Sequence, residues 1–294
     1  MHRPCVITLL TDFGNQDAYV GVMKGVITGI NPLANIIDIC HNIPPQDVFN
    51  AAYLLYTSYK YFPRGTIHVA VVDPGVGSRR DIVCVVTKDY FFLVPDNGIL
   101  SFIIQDEKPK SIFRITNSKY FLPSPSNTFH GRDVFAPVSA HLSLGAKLRQ
   151  LGIKINQLKQ LDIPKPDYKK TGQLEGQVIY IDRFGNLITN ITKEYLVKGV
   201  GGQRSEVGMQ KSEDRINQRK TTLKELFSLC NTIETVIGKK KIMGLSETYT
   251  DVKPGEPLVL FGSAGFLEVS VNQGNAQRYF KADKGSKIII ENAR

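Results

Sequence analysis

The N-terminal part of the chain alternates short apolar runs with amphipathic stretches. Residues 5–10, 34–40 and 66–73 are apolar runs of strand length. Between them, residues 17–30 and 46–61 repeat their apolar side chains at the spacing of a helix. Strands that alternate with helices predict an α/β fold with a largely parallel sheet and helices on both faces.

The same domain continues with a mixture of strands and helices. Residues 81–88 and 90–94 predict two strands joined by a tight turn, and residues 111–116 predict a further strand. Residues 99–104 predict a short helix, and residues 133–144 predict a longer one. The α/β domain therefore extends to about residue 165.

The pattern changes to strands and turns after a Pro- and Lys-rich linker at residues 161–172. Two hairpins and two shorter strands are predicted beyond it. They cover residues 175–181 with 187–191, residues 257–261 with 266–271, and residues 279–280 and 287–290. We expect residues 173–294 to form a smaller all-β, barrel-like domain.

Composition narrows the class of protein. Of the 294 residues, 42% are hydrophobic and 22% are charged, which is typical of a globular protein. The apolar run at residues 5–10 is too short for a signal peptide or a membrane span, so we expect a cytoplasmic protein without membrane association. Cys5, Cys40, Cys84 and Cys230 lack C-x-x-C spacing, which favours free thiols over metal ligands or disulfides.

The formal charge of +10 raises the question of a nucleic-acid partner. Residues 198–241 carry ten Lys or Arg against five Asp or Glu, which is half of that net charge. No nucleic-acid motif with interleaved aromatic residues accompanies them, so we interpret the segment as a solvated basic face. Residues 199–222 have the pattern of an insertion within the second domain.

Candidate chemistry lies where strands end or helices begin. Asp12 follows the first strand, Asp73 and Arg80 follow the third, and His130 precedes the last helix of the first domain. Ligands of open α/β sheets bind at the carboxyl ends of the strands, so these four side chains are candidates for one pocket. The residues taken one by one leave a structural alternative open, because each also suits a turn, the surface or a backbone contact.

Several common sites lack their motifs. No G-x-G-x-x-G or P-loop follows the first strand, and no G-x-S-x-G elbow is present, which argues against dinucleotide, P-loop and serine-hydrolase sites. The spacing of Asp12, Asp73 and His130 does not match H-x-x-x-H or D-x-D, so we expect no metal. We interpret His41 and His68 as structural residues.

Six motifs occur in an order that resembles a known family. They are LLTDFG at residues 9–14, VVDPGVGSRR at 71–80, PDNG at 95–98, TFHGRD at 128–133, DRFGN at 182–186 and GSAGFLE at 262–268. Together they resemble the S-adenosyl-L-methionine hydrolase (hydroxide adenosyltransferase) family, which is related to fluorinase and chlorinase. The resemblance spans nearly the whole chain.

The resemblance implies hydrolysis of S-adenosyl-L-methionine to adenosine and L-methionine, with no cofactor. The water-activating trio of the family falls on Asp73, Arg80 and His130. A guanidinium beside the water would stabilise developing hydroxide, while the carboxylate and the imidazole orient the water or accept its proton. The arginine beside Asp73 is expected to keep that carboxyl ionised. Which of Asp73 and His130 takes the proton stays open.

The resemblance also implies residues that hold the adenosine part of the substrate. Asp12 would accept hydrogen bonds from the ribose hydroxyls, since a carboxylate is an acceptor only. Phe129 and Phe184 would pack on the sugar or the adenine, and Tyr249 is a further stacking candidate. Asn186 would match the adenine edge, because its amide both donates and accepts.

At the methionine end, the resemblance places Asp182 and Ser263 on the ammonium and the carboxylate. Ala264 stands where the halogenases carry an arginine, so that contact is absent here. In this family the site lies between the first domain of one subunit and the second domain of a neighbour in a trimer. A homotrimer with an interface site is therefore the expected assembly.

Two other functions remain as alternatives. The first is a halide-using enzyme that makes 5′-halo-adenosine, which the presence of the trio argues against. The second is a non-catalytic adenosine- or S-adenosylmethionine-binding protein, which the basic segment at residues 199–222 would tether to nucleic acid.

Overall fold

The structure is a computed structural model that describes residues 5–200 and 232–293. The chain forms two compact units, Met1–Ile163 (unit 1) and Pro164–Arg294 (unit 2). Most of the predicted insertion at residues 199–222 lies outside the described residues. Among those that are described, no helix has the length and apolar character needed to cross a membrane.

Unit 1 is built on a seven-stranded mixed sheet with the strand order β2-β1-β3-β5-β4-β6-β7. Its elements are β1 Val6–Thr11, α1 Tyr19–Ile30, β2 Asn35–Cys40, α2 Val48–Ser58, β3 Ile67–Val71, β4 Ile82–Val86, β5 Phe91–Pro95, α3 Ser101–Asp106, β6 Ser111–Ile115, α4 Ala136–Ser143, α5 Leu148–Leu151 and β7 Gly152–Ile155. Strands β2, β1, β3 and β5 are parallel, whereas β4, β6 and β7 pair antiparallel. The α/β class is confirmed, and the parallel strands form one half of the sheet.

Strand β3 is buried on both faces, as its apolar run predicts. Val69 and Val71 belong to the core that includes residues of α1 and α4. On the opposite face, the His68 ring stacks on Phe92 and contacts Tyr59. His68 Nδ1 lies 2.8 Å from the hydroxyl of Thr8, and burial lowers the pKa of His68 to about 3, so this histidine is a neutral structural residue.

Unit 2 is an antiparallel sheet with the order β12-β11-β15-β9-β10-β14-β13, to which β8 adds beside β9. Its elements are β8 Asp167–Tyr168, β9 Leu174–Ile181, β10 Leu187–Thr192, α6 Lys193–Val200, β11 Ile233–Ile237, β12 Lys240–Met243, β13 Pro257–Phe261, β14 Phe266–Val271, α7 Ala276–Phe280 and β15 Lys287–Asn292. The N–H of Ser246, just after β12, donates to Val259 O of β13 at 2.7 Å. This bond links the two ends of the sheet into a nearly closed barrel.

Three local predictions were wrong or incomplete. Residues 279–280 are the end of helix α7, because the side chain of Asn275 accepts the N–H of Arg278 at 2.8 Å and so caps a helix start. Strands β11 and β12 were not predicted, since their apolar residues alternate with the charges of the basic segment. The predicted linker contains β8, a two-residue strand that pairs with β9 through its backbone. Its short polar sequence carries no strand pattern.

Candidate active site

Two carboxylates follow neighbouring parallel strands of unit 1. Thr11 of β1 is in register with Val71 of β3, so Asp12 and Asp73 emerge from the same edge of the sheet. The side-chain amide of Asn97 donates to the carbonyl of Val72 at 2.8 Å and fixes the end of β3. The polar groups at the strand ends therefore share one edge, as the strand pattern predicts.

Asp73 and Arg80 form a buried ion pair. Arg80 Nη2 donates to Asp73 Oδ2. The Arg80 side chain is only 7% exposed and the Asp73 side chain only 5%. The N–H of Gly75 donates to the other carboxylate oxygen at 3.2 Å. Arg80 Nη1 also donates to the carbonyl of Asp81 at 2.6 Å, so the guanidinium is held at two points.

Gly77 allows the loop of Asp73 and Arg80 to lie directly against the loop that precedes His130. Its φ is +77°, and a Cβ there would lie 2.5 Å from the carbonyl oxygen of Asn127. Any side chain would force the two loops apart. Gly75 of the same loop is not constrained in this way, because its φ is not positive and a Cβ there would meet its nearest atom at 3.4 Å. Only Gly77 needs to be glycine.

His130 stands immediately before a π-helical turn, Gly131–Phe135, that leads into α4. Asp133 in this turn is buried, pairs with Arg132 and accepts the N–H of Ser126 at 2.8 Å. The loop before His130 is therefore tied to the turn after it. This arrangement fixes the position of His130 next to the Asp73 loop.

The electrostatics of the trio is set by burial and by mutual charge. Burial raises the pKa of the Asp73 carboxyl, and the charges of Arg80 and His130 oppose that rise. Desolvation is the largest single influence on this pKa, and the charge and hydrogen bond of Arg80 come next. Arg80 Nε and His130 Nδ1 are both buried, and neither has a hydrogen-bond partner among the described residues. Both nitrogens are available to a small polar molecule.

An aromatic group lies in the same part of unit 1. The ring of Phe129 contacts Tyr19 and Phe13, with centroids 5.0 and 5.8 Å apart. Asp12 lies next to Phe13 in the chain and is partly exposed, and its Oδ2 accepts the N–H of Gln46 at 2.8 Å. Unit 1 therefore combines a carboxylate acceptor with aromatic surface, which suits a sugar attached to a flat base.

In unit 2, Asp182 holds its own turn together. Its Oδ1 accepts the N–H groups of Phe184 and Asn186, and its Oδ2 accepts the Asn186 amide, each at 2.9 Å. Gly185 has a φ of +86°, which completes the turn. The Phe184 ring projects from this turn and is 72% exposed, while Asn186 is buried and its amide oxygen accepts no hydrogen bond from the described residues.

Tyr249 and Ser263 lie elsewhere in unit 2. The hydroxyl of Tyr249 donates to Glu268 Oε1 at 2.8 Å, and the tyrosine ring is partly exposed. Ser263 is exposed on the hairpin turn between β13 and β14. The five candidates of unit 1 and the five of unit 2 are thus presented by loops and turns.

Sequence reasoning missed two contributors. The backbone carbonyl of Asn127 makes the close contact with Gly77. No pattern of side chains along the sequence predicts where a backbone carbonyl will lie. Glu268 is a buried acid in a strand that is apolar apart from Ser270, and that break in the pattern was the available signal. Among residues 5–200 and 232–293, no group of three His, Cys, Asp or Glu side chains could hold a metal ion.

Two family models match this chain. The SAM hydroxide adenosyltransferase N-terminal domain matches residues 7–152, and the C-terminal domain matches residues 176–231 and 215–289. These two matches cover both units of the structure.

Similar proteins are found at full length. Two relatives named (R)-S-adenosyl-L-methionine hydrolase are 35% identical, from Methanocaldococcus jannaschii, and 33% identical, from Thermus thermophilus; the matches cover 97% of this chain and 95% and 98% of the relatives. A fluorinase from Actinoplanes sp. is 25% identical over 98% of both chains. The solved structure of an uncharacterized conserved protein from Thermotoga maritima has a TM-score of 0.82 at 35% identity, and covers 97% of this chain and 99% of that chain.

Proposed function

This chain belongs to the SAM hydroxide adenosyltransferase family, and we propose that it hydrolyses S-adenosyl-L-methionine to adenosine and L-methionine by attack of water on the ribose 5′ carbon. The observation that carries the proposal is the trio of unit 1, in which the Asp73–Arg80 ion pair is buried. Asp73 and Arg80 are paired, His130 is close enough to act on the Asp73 charge, and two buried nitrogens of the trio have no partner in the described part of the chain.

The chemistry needs a better nucleophile and no general acid. The water oxygen forms a bond to C5′ while the C5′–S bond breaks, and the bonding electrons return to sulfur, which leaves as a neutral thioether. The Arg80 guanidinium stabilises the charge that develops on the water oxygen. Asp73 or His130 accepts the proton of the water, a step that contributes about 10²- to 10⁴-fold in rate.

Positioning contributes the rest. Attack requires the water oxygen about 3 Å from C5′ and in line with sulfur, a geometry that a fixed site supplies in advance. The pairing of the Gly77 and Asn127 loops fixes Arg80 relative to His130. We propose that Asp12 and Phe129 hold the ribose, and that Phe184, Asn186 and Tyr249 hold the adenine. Asp182 and Ser263 then hold the methionine end.

The name of the hydrolase relatives specifies the R configuration at sulfur. We extend this to the present chain, so the (R)-sulfonium epimer is the proposed substrate. The two epimers present the methyl group on opposite sides of sulfur, and in-line attack on C5′ is compatible with a pocket shaped for either one. Assay of the two purified epimers therefore tests the stereochemical proposal separately from the reaction type.

We further propose that the site is completed between copies of a homotrimer, as the family resemblance implies. Mixing an Asp73→Asn variant with an Asn186→Ala variant tests this proposal. Random assembly of shared sites would restore activity at about a quarter of them. If each site lay within one chain, mixing would restore none. The expected cytoplasmic location stays a prediction that cell fractionation tests.

The decisive experiment is incubation with S-adenosyl-L-methionine in ¹⁸O-labelled water. The proposal expects adenosine that carries the label in its 5′ hydroxyl, because the oxygen comes from water. Parallel reactions with chloride, bromide or fluoride should yield no 5′-halo-adenosine, and dialysis against a chelator should leave the rate unchanged. Adenosine release no faster than background, with no change on Asp73→Ala, would instead indicate a binding protein.

A further inference from the structure

Two threonines of β1 each pair with a buried histidine, and only one of these pairs adjoins the candidate site. Thr8 lies beside His68 of β3, with 2.8 Å between the hydroxyl oxygen and Nδ1. Thr11 lies beside His41, which follows β2, with 2.9 Å between the corresponding atoms. Both threonines are fully buried, and neither histidine is more than 5% exposed. Thr11 directly precedes Asp12, the carboxylate that we propose holds the ribose.

The hydroxyl of Thr11 connects the backbone around Asp12 to the ring of His41. Thr11 Oγ1 accepts the N–H of Phe13 at 3.3 Å, which leaves the hydroxyl hydrogen for His41 Nδ1. His41 Nε2 lies 3.1 Å from Asp38 Oδ1, an ion-pair distance without the alignment of a hydrogen bond. A carboxylate only accepts, so the hydrogen of the neutral ring belongs on Nε2, and Nδ1 is the acceptor. Both ends of the chain of contacts therefore agree that Thr11 donates to His41.

Asp38 is itself held by a residue of α1. Lys24 Nζ donates to Asp38 Oδ2 at 2.6 Å. Burial by itself would raise the pKa of Asp38, but the hydrogen bond from Lys24 and the interaction with His41 outweigh it and lower that pKa. Asp38 therefore stays ionised opposite His41 Nε2, which fixes the orientation of the imidazole ring.

The loop that follows β2 contacts the Asp12 turn at three points. The His41 ring meets the Thr11 hydroxyl, and the His41 carbonyl accepts the N–H of Gly14 at 2.8 Å. Further along the same loop, Gln46 donates its N–H to Asp12 Oδ2 at 2.8 Å. Gln46 has a φ of +67°, a conformation that residues with a side chain rarely adopt. Asp12 Oδ1 accepts no hydrogen bond from the described residues, so this oxygen remains available to a ligand hydroxyl.

We propose that Thr11 and His41 are positioning residues, which orient Asp12 toward the ribose hydroxyls of the ligand. The inference rests on the proposed function and deepens it, since it assigns the selection of a ribose at that site to a buried hydrogen-bonded pair. Neither residue has to touch the ligand, because both act through the backbone on either side of Asp12. A carboxylate that is already oriented loses little freedom when the ligand binds, so the pair strengthens the hydrogen bonds that Asp12 accepts.

The test variant is Thr11→Val, because valine has nearly the shape of threonine and lacks the hydroxyl. Thr8→Val is the matched control, since it removes a hydroxyl from a buried histidine on the same strand without touching the Asp12 turn. Both valine variants should unfold at a lower temperature, because each leaves a buried ring nitrogen without a partner. Thr11→Ser keeps the hydroxyl and should bind ligands as the wild type does. Thermal unfolding of each variant reports on the fold.

Calorimetry gives the dissociation constants of adenosine and of 2′,3′-dideoxyadenosine, which lacks both ribose hydroxyls. Thr11→Val should weaken adenosine binding about tenfold or more, the size expected for loss of a hydrogen bond to a charged group. The dideoxy compound should bind Thr11→Val as it binds the wild type, and Thr8→Val should bind both compounds normally. In an Asp12→Asn background, adding Thr11→Val should change adenosine binding by no more than about twofold, because the two changes remove the same interaction.

Each result decides between the alternatives. Equal weakening of the two nucleosides by Thr11→Val would assign the Thr11–His41 pair to the fold alone and overturn the inference. The same loss of ribose selectivity in Thr8→Val, or a further loss in the Asp12→Asn background, would overturn it as well. Unchanged adenosine affinity of Thr11→Val, beside a wild type that hydrolyses S-adenosyl-L-methionine, would reject the inference while the proposed function stands. A wild type that neither hydrolyses S-adenosyl-L-methionine nor prefers adenosine to the dideoxy compound would reject both.

Discussion

The charged groups of unit 1 face one another, whereas the candidate residues of unit 2 are tied into turns. Asp73 and Arg80 form a buried ion pair, and Arg80 Nε and His130 Nδ1 have no hydrogen-bond partner in the described part of the chain. Asp182 instead uses its carboxylate to hold the turn that projects Phe184. In the proposed function, all the groups that react therefore belong to unit 1, whereas the groups of unit 2 only bind.

The largest expected effect is at the reacting groups. Asp73→Asn removes the negative charge that orients Arg80 and the water, so kcat should fall about 10²- to 10⁴-fold with a smaller change in KM. Steady-state assays of adenosine release measure both constants. Asp81→Asn is the control, since its exposed side chain pairs with Arg114 at 3.4 Å, and it should keep near-normal activity. Equal losses in the two variants would contradict the special role of Asp73.

The next effect tests whether loop contact assembles the trio. Gly77→Ala places a methyl group 2.5 Å from Asn127 O at a φ of +77°, so we expect a loss of roughly 1–2 kcal/mol in unfolding free energy from the backbone alone. Activity should fall about tenfold or more, because Arg80 and His130 are displaced. Gly75→Ala should change neither. Denaturant titration and kcat measure the two quantities, and a fully active Gly77→Ala enzyme would refute this account.

A smaller effect is expected at the binding surface of unit 2. Phe184 is 72% exposed, so Phe184→Ala should leave unfolding free energy within about 0.5 kcal/mol. Loss of aromatic stacking on the adenine should raise KM about tenfold with little change in kcat. Met243→Ala, an exposed apolar residue of β12, provides the matched control. A drop in kcat alone would move Phe184 to the chemical step and break the division between the units.

The smallest effect concerns the pH dependence of stability. The pKa of Asp73 is raised by burial, so the folded state holds this proton more tightly and stability falls as pH rises from the ordinary value of 3.8 through the folded pKa. Burial by itself would raise the pKa of Asp133, but the hydrogen bonds from Arg132 and Ser126 outweigh it and lower that pKa. The Asp133 carboxylate therefore adds stability at pH values at and above its ordinary pKa. This stability is lost as pH falls through the lowered pKa.

Unfolding titrations between pH 3 and pH 7 compare wild type with Asp73→Asn and Asp133→Asn. As pH rises, the unfolding free energy of the wild type should fall relative to that of Asp73→Asn. As pH rises through the acidic range, the unfolding free energy of the wild type should rise relative to that of Asp133→Asn. Slopes of the same sign in both comparisons would contradict the assignment of burial as the dominant cause at Asp73.

Much of the fold follows from local sequence patterns. The β13–β14 hairpin has the bounds that its apolar runs predicted, and the parallel strands β1 and β3 end one and two residues before Asp12 and Asp73, respectively. The prediction was less successful where side chains carry little information. Strands β4, β6 and β7 pair antiparallel, because the choice of neighbouring strand depends on packing across the whole sheet.

By itself, the sequence determined the class of each domain, the family and the residue types available for chemistry, since apolar periodicity and ordered motifs are local properties. Tertiary structure alone decided which atoms meet. It placed a carbonyl of Asn127 against Gly77, and it paired Arg80 with Asp73. It also turned Glu268 toward the hydroxyl of Tyr249. These contacts depend on how distant loops and strands pack, and no spacing along the chain encodes that packing directly.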